Sequence, residues 1–182
     1  MDKIIYFIAA VVGLVYFLSF RSKKIDTEPD PGTSKNDIRK YVEKFNKEIA
    51  FNIAIAIYDY GSRYNIKHSL ILAVIEQETD FKPREGNFGE QGIMQVTEIA
   101  LNEVKRVYSD KVQYINKDDL TDNSKNIKVG TLYLKYCIDR ANGNIKKGLA
   151  YYNGGFEPPE QSFKYAEEVL DKQEKIKDEL RG

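Results

Sequence analysis

The sequence predicts a mostly α-helical domain behind a single N-terminal transmembrane helix, and three observations carry that expectation. Residues 4–20, IIYFIAAVVGLVYFLSF, contain no charged side chain. From residue 38 onward, apolar residues recur at three- and four-residue intervals in one segment after another, the spacing that lines one face of a helix. No stretch keeps the two-residue alternation of a half-buried strand, and no internal repeat is present. The organisation that follows is an anchor over 1–20, a linker over 21–37 and one folded domain over 38–182, long enough for a single core.

As a helix rising ~1.5 Å per residue, the apolar run spans roughly 26 Å, near the lower limit for crossing a bilayer. Tyr6, Tyr16, Phe17 and Phe20 near its ends suit the membrane interface. A cleavable signal peptide is the alternative, but only Lys3 precedes the run as a basic residue and no small-x-small site follows it. The segment is therefore read as a retained anchor, with the lipid bilayer as a partner through residues 4–20. Arg21, Lys23 and Lys24 follow the run while Asp2 and Lys3 nearly cancel before it, so the positive-inside rule points the following domain to the cytoplasm.

Residues 26–37, DTEPDPGTSKND, read as an exposed linker, with Asn36 or Asp37 able to cap the next helix. Val42, Phe45, Ile49, Ile53 and Ile57 mark a helix over 38–60, stopped at Gly61. Ser69 is expected to cap a second helix with the apolar run 70–75. Residues 80–92 turn polar and glycine-bearing and read as a loop. Val96, Ile99, Ala100 and Val104 resume helical spacing, and 105–124 mixes a loop with a short helix. Further helices are expected over 127–141, with Leu132, Leu134 and Ile138 inward, over 145–152 before Gly154 and Gly155, and over 161–175 after a turn at Pro158 and Pro159.

Composition excludes several functions. Lys plus Arg and Asp plus Glu are 28 each, so no bulk charge draws the chain to nucleic acid. One cysteine, Cys137, cannot form an internal disulfide, and one histidine beside it makes a His/Cys metal site implausible. No metal or other cofactor is expected. His68 reads as a surface residue near a helix start and Cys137 as a packed thiol.

Chemistry concentrates at residues 73–95. Three acids, Glu76, Glu78 and Asp80, crowd the end of the second helix. Glu78 lies seven positions and roughly −20° from Ile71, on the stripe shared with Val74 and Ile75, whereas Glu76 points away, towards solvent. A carboxyl on an apolar face finds a partner or stays protonated, because burying a bare carboxylate is costly. Two roles stay open on the residues alone: a structural glutamate bonded to loop amides or a lysine, or a proton donor of raised pKa of the kind glycosidic cleavage uses.

The segment AVIEQETDFKP at 73–83, followed by GEQGIMQ at 89–95, resembles the signature of soluble-type lytic transglycosylases, glycoside hydrolase family 23, which share a fold with goose-type lysozyme. In the family an apolar helix ends in Glu-Ser, followed by an aromatic, a proline and Gly-Ala-x-Gly-Leu-Met-Gln. GTLYL at 130–134 resembles the family's next helix, AYYNG at 150–154 its Ala-Tyr-Asn motif, and Tyr165 with Val169 its closing Tyr-Val segment. The resemblance covers roughly residues 58–170 in the family's order and implies a lysozyme-like helical catalytic domain. Carried over by position, it implies Glu78 as the catalytic acid and Thr79, Asn87, Met94, Gln95, Tyr133, Tyr152, Asn153 and Tyr165 as substrate-binding, with Tyr165 supporting the carboxylate. Thr79 stands for the family's Ser, Glu90 for its small Ala, and Thr97 with Glu98 for a common Met-Pro.

What the resemblance implies chemically is cleavage of the β-1,4 bond between N-acetylmuramic acid and N-acetylglucosamine in peptidoglycan. Most glycosidases use two carboxylates; here one would protonate the leaving oxygen, then take the proton of the muramoyl C6 hydroxyl as it closes a 1,6-anhydro ring. The attacking group is tethered to its sugar, so no water need be positioned. Two alternatives stay open: a hydrolase of the same fold using Glu98 or Asp80 to activate water, and a non-catalytic glycan-binding assembly protein. The expected setting is a bacterial envelope or phage virion membrane, with the catalytic domain facing the cell wall and possible envelope or virion assembly partners. The local opening of a wall for phage entry, secretion, conjugation or envelope remodelling would suit it, in tension with the flanking charges.

Overall fold

The chain was analysed as a computed structural model that describes Asp30 and residues 32–181. The expected membrane segment over 4–20 and most of the linker lie outside the described residues. Among the described residues, no helix is long and apolar enough to cross a membrane. The elements are α1 (Lys35–Glu43), α2 (Ala50–Tyr64), α3 (His68–Thr79), a ribbon of β1 (Arg84–Glu85) and β2 (Gln91–Gly92), α4 (Glu98–Val107), α5 (Ser109–Val112), a 3-10 turn (Asp118–Thr121), α6 (Asn123–Arg140), α7 (Ile145–Gly154) and α8 (Glu160–Arg181).

The mostly helical class is as expected, and α3 is its axis. Leu70, Ile71, Leu72, Ala73, Val74 and Ile75 are all fully buried, so this helix is apolar on every side for nearly two turns and must be covered all round. It packs against α8 and α2, while α6 packs against α2, α7 and α4. Each Leu, Ile or Val so enclosed contributes about 1.5–3 kcal/mol relative to exposure. The inward residues expected of α6, Leu132, Leu134 and Ile138, are buried, as is Cys137, whose thiol burial pushes up to about 12.

Several local expectations are corrected. The helix expected over 38–60 is two helices: carbonyls of Tyr41 and Val42 accept from Lys44, Phe45 and Asn46 in a tightening last turn, and the chain restarts at Ala50. Ser34 caps α1, with Asp37 as its reciprocal partner in a capping box. Gly61 does not stop α2; it lies inside the helix, where a Cβ would come within 2.6 Å of the His68 ring. The stop is Asn65 at φ 57, whose N–H donates to the Gly61 carbonyl. Ser69 caps nothing: α3 starts at His68, and the Asp30 carboxylate accepts from the Ser69 N–H at 2.7 Å and from its hydroxyl at 3.1 Å. His68 is not a surface residue; it is buried and stacked on Tyr58 at 5.1 Å. Within the expected loop 80–92, Arg84 pairs with Gly92 and Glu85 with Gln91.

Glu76 is likewise not directed to solvent. It accepts from the Tyr41 hydroxyl at 2.5 Å and from Lys172 at 2.8 Å, and its side chain is 14% exposed. Two of the three acids at the helix end are thus turned inward, one held by a structural ion pair.

Candidate active site

Glu78 sits in the last turn of α3, and the backbone beyond it is bent sharply to receive a loop. Asp80 at φ 49 and Phe81 at φ 57 are both in the left-handed region. An aspartate tolerates that conformation, but a phenylalanine there is a true outlier, of the order of 1–3 kcal/mol in strain. Aromatic packing holds it: Phe81 is fully buried between Phe45 at 5.0 Å and Tyr41 at 6.2 Å, and Asn46 donates to its carbonyl at 3.3 Å.

Two further ties fix the acid's backbone. Arg84 donates to the Glu78 carbonyl at 2.8 Å. Thr79, 4% exposed, donates its hydroxyl to the Ile93 carbonyl at 2.8 Å, joining helix to ribbon loop. The carboxyl itself accepts the Tyr165 hydroxyl on Oε1 at 2.6 Å. Burial pushes Glu78 up to about 7; the Tyr165 hydrogen bond and the Arg84 charge pull downward, while the Glu90 charge adds to the upward shift. Burial also raises the Tyr165 and Tyr152 hydroxyls well above their ordinary range, so both remain donors. With Oε1 engaged, Oε2 is the oxygen left to carry and deliver a proton.

Gln95 stands at the junction of two cavities. One of ≈370 Å³ is lined by the ribbon loop, including Arg84, Asn87, Phe88 and Glu90. The other, of ≈200 Å³, is lined by Ile99, Tyr133, Tyr152 and Asn153 among others. Gln95 lies at φ 47, and its amide nitrogen donates to the carbonyls of Arg84 at 2.9 Å and Gly92 at 2.8 Å. Its Oε1 therefore stays available as an acceptor. Tyr152 donates to the Met94 carbonyl at 2.7 Å and packs its ring 5.4 Å from Tyr133.

The residues singled out in the sequence thus fall into three groups. Glu78 and Tyr165 are in contact with each other and line neither cavity, whereas Asn87, Gln95, Tyr133, Tyr152 and Asn153 line the two cavities. Thr79 and Met94 lie beneath the cleft, Met94 having no exposed surface. Glu98 lines neither cavity, although Thr97 and Ile99 on either side of it line the smaller; its side chain is 61% exposed and 3.6 Å from Lys117.

Arg84 and Asn126 were missed. Asn126 is fully buried, accepts from the Met94 N–H at 2.9 Å and donates to the carbonyls of Gln91 at 2.8 Å and Leu120 at 2.9 Å. It anchors the cleft loop to α6. A polar residue one position before the buried face of α6 begins is the only sequence signal it gives. Among the described residues, no group of three His, Cys, Asp or Glu could hold a metal ion.

Residues 55–175 match the transglycosylase SLT domain family. The fold is similar to that of an inactive mutant of the lytic transglycosylase Slt from Pseudomonas aeruginosa, with a TM-score of 0.64 at 17% identity over 79% of this chain and 28% of that one. It is also similar to the 70 kDa soluble lytic transglycosylase SLT70 from Escherichia coli, with a TM-score of 0.63 at 22% identity over 75% of this chain and 25% of that one. The chain therefore spans about a quarter of the length of these two proteins, and at such identities the likeness is one of fold.

Proposed function

We propose, from the premise that the chain belongs to the transglycosylase SLT domain family, that it is a peptidoglycan lytic transglycosylase with Glu78 as its single acid and base. The observation that carries this reading is the Glu78–Tyr165 pair: a carboxyl raised to about 7 by burial, held on one oxygen by a hydroxyl. A group of that pKa is protonated in a large fraction of molecules at neutral pH, yet is basic enough once ionised to accept a proton.

In the first step Glu78 Oε2 protonates the glycosidic oxygen, and the bond to the anomeric carbon breaks. The carboxylate left behind keeps the Tyr165 hydrogen bond, which favours its charged form. In the second step it takes the proton of the C6 hydroxyl on the same muramoyl residue, as that oxygen attacks the anomeric carbon and closes the anhydro ring. Proton count balances: the acid ends as it began. Gln95 Oε1 is suited to receive a sugar hydroxyl or N-acetyl N–H, and the Tyr133 and Tyr152 rings to cover apolar sugar faces. Thr79 and Met94 act on the substrate only through the loop and ring they support.

A hydrolase of the same fold needs a second carboxylate to activate water. Glu98, exposed near Lys117, and Asp80, exposed at the C-cap of α3 and lining neither cavity, are poorly suited to that task, which favours the single-acid scheme. Attachment to a bilayer through residues 4–20, with the domain delivered to the cell wall of a bacterium or from a virion, is part of the same proposal.

Digestion of purified cell wall followed by mass spectrometry of the released fragments tests it. Anhydro-muramic ends from the wild type and their loss in Glu78→Gln are expected. Reducing ends would make the enzyme a hydrolase, and fragments unchanged by Glu78→Gln would make Glu78 a structural residue.

A further inference from the structure

Glu78 lies between two positions that one side chain touches. Tyr41, buried near the end of α1, donates its hydroxyl to the Glu76 carboxylate at 2.5 Å, two residues before the acid. Its ring packs edge-on to Phe81 at 6.2 Å, three residues after the acid. Between those two contacts α3 ends and the chain turns through the positive φ of Asp80 and Phe81. α1 precedes residues 55–175, the segment that matches the family, so this grip is applied from outside the matched segment.

Both halves of the grip are themselves held. Lys172 of α8 pairs with Glu76 at 2.8 Å and fixes the carboxylate that Tyr41 meets. The other charged groups about Tyr41 are Lys44, whose ammonium stands 4.7 Å from the ring centroid, and Glu179 of α8, which pairs with Lys44. On the side of the bend, Phe45 packs 5.7 Å from Tyr41 and 5.0 Å from Phe81, and Asn46 donates to the Phe81 carbonyl. A bulky residue at positive φ persists only where its surroundings over-determine it, and Tyr41, Phe45 and Asn46 supply that constraint. Phenylalanine would fill the space of Tyr41, but only the hydroxyl ties the ring to α3.

We infer that Tyr41 is a positioning residue for Glu78: it fixes the chain on both sides of the acid and so sets how the carboxyl is presented to the glycan. This role rests on the transglycosylase reading above. Tyr41 lines neither cavity beside Gln95, so it acts through Glu76 and Phe81 rather than on the substrate. A misplacement of about 1 Å is enough to cost on the order of 10²-fold in rate, and a brace of this kind shows in kcat rather than in KM.

The test compares full-length wild type, Tyr41→Leu, Tyr41→Phe and Val112→Ala, each assayed below its own melting midpoint. Val112→Ala removes buried packing from α5, which sits on α4, and controls for lost stability alone. Tyr41→Leu should lose at least about tenfold in kcat with KM within about twofold of wild type. Tyr41→Phe, which keeps the ring against Phe81, should lose about threefold, and Val112→Ala should keep wild-type kcat. Carbon-13 NMR of the glutamate carboxyls, with the Glu78 signal assigned by its absence in Glu78→Gln, gives a readout independent of turnover. With the bend loosened, water reaches Glu78 and burial no longer holds it at about 7. Its titration should therefore move to lower pH in Tyr41→Leu, and by less in Tyr41→Phe.

The role is refuted if Tyr41→Leu keeps wild-type kcat, if Val112→Ala loses as much, if the loss falls on KM, or if the Glu78 titration stays in place. Should Tyr41→Leu fail to fold, Tyr41→Phe decides by the same criteria. A wild type that yields no anhydro ends from cell wall overturns the transglycosylase reading instead, and the Glu78 titration in the variants then decides whether Tyr41 sets the acid's surroundings.

Discussion

The Tyr165 hydroxyl and the Glu78 carboxylate lie 87 positions apart in the chain and meet at 2.6 Å. Burial raises the acid, and this hydrogen bond opposes the rise. The bond favours the ionised form, so the pair sets the balance between the two protonation states that the proposed turnover uses in sequence.

Tyr165→Phe removes only that stabilisation of the carboxylate. The Glu78 pKa then moves further up, and the basic limb of the kcat/KM profile shifts to higher pH. We expect kcat to fall about tenfold, because an acid of higher pKa is a weaker proton donor in the first step. A pH–rate series checks the sign; a shift of the basic limb to lower pH would refute this role for Tyr165.

Glu90→Gln makes the opposite change. It deletes a negative charge that raises Glu78, while a side-chain oxygen remains to accept from the Phe88 N–H. The basic limb is expected to move to lower pH. Opposite shifts in Glu90→Gln and Tyr165→Phe, recorded under one ionic strength, form an internally controlled pair; shifts in the same direction would remove the electrostatic explanation.

Stability should carry the mark of Glu78 too. Its folded pKa of about 7 stands above its ordinary value of 4.5, so the native state binds the proton more tightly than the unfolded chain. The wild type therefore loses stability as pH rises from about 4.5 to 7, then no more, by up to about 3 kcal/mol. Glu78→Gln is expected to abolish at least about 10²-fold of the activity and to melt higher than wild type at pH 8, the gap closing near pH 4. Melting curves at the two pH values decide it.

Asn126→Ala should cost about 2–5 kcal/mol, because it strands the buried Met94 N–H and the buried Leu120 carbonyl together, while the half-buried Gln91 carbonyl keeps the Val96 N–H. Urea unfolding would register this as a lower midpoint with an unchanged slope. Activity should fall through KM, since the loop carrying Gln95 loses its tie to α6. A cost below about 1 kcal/mol would mean that the loop finds other partners.

The helical class and the inward face of Glu78 were legible because both rest on local periodicity, and α6 and α7 show their inward faces directly; the same angular reading sent Glu76 to solvent, where it does not go. What stayed hidden depends on partners remote in the chain. Glu76 meets Lys172 across 96 positions, and Ser69 meets Asp30 across 39, so neither destination is written near the residue. The break between α1 and α2 was invisible for another reason: Phe45 and Ile49 pack against the core from the connecting segment, which continues the helical apolar spacing where no helix exists. The strained bend at Phe81 left no trace either, since nothing in its neighbours warns that a bulky residue will take a positive φ.

The pairing of α3 with α8 has a temporal consequence. Gln77 meets Glu168, Glu78 meets Tyr165, Glu76 meets Lys172 and Ser69 meets Gln173, so one helix contributes the proposed acid and the other arrives to condition it. A chain emerging from the ribosome delivers α3 long before α8. Until the later helix docks, one side of Glu78 is open to water and its carboxyl has the acidity of any exposed glutamate, a poor proton donor at neutral pH. Under the proposed chemistry the nascent chain is therefore latent, and its activity switches on with the closing of the fold.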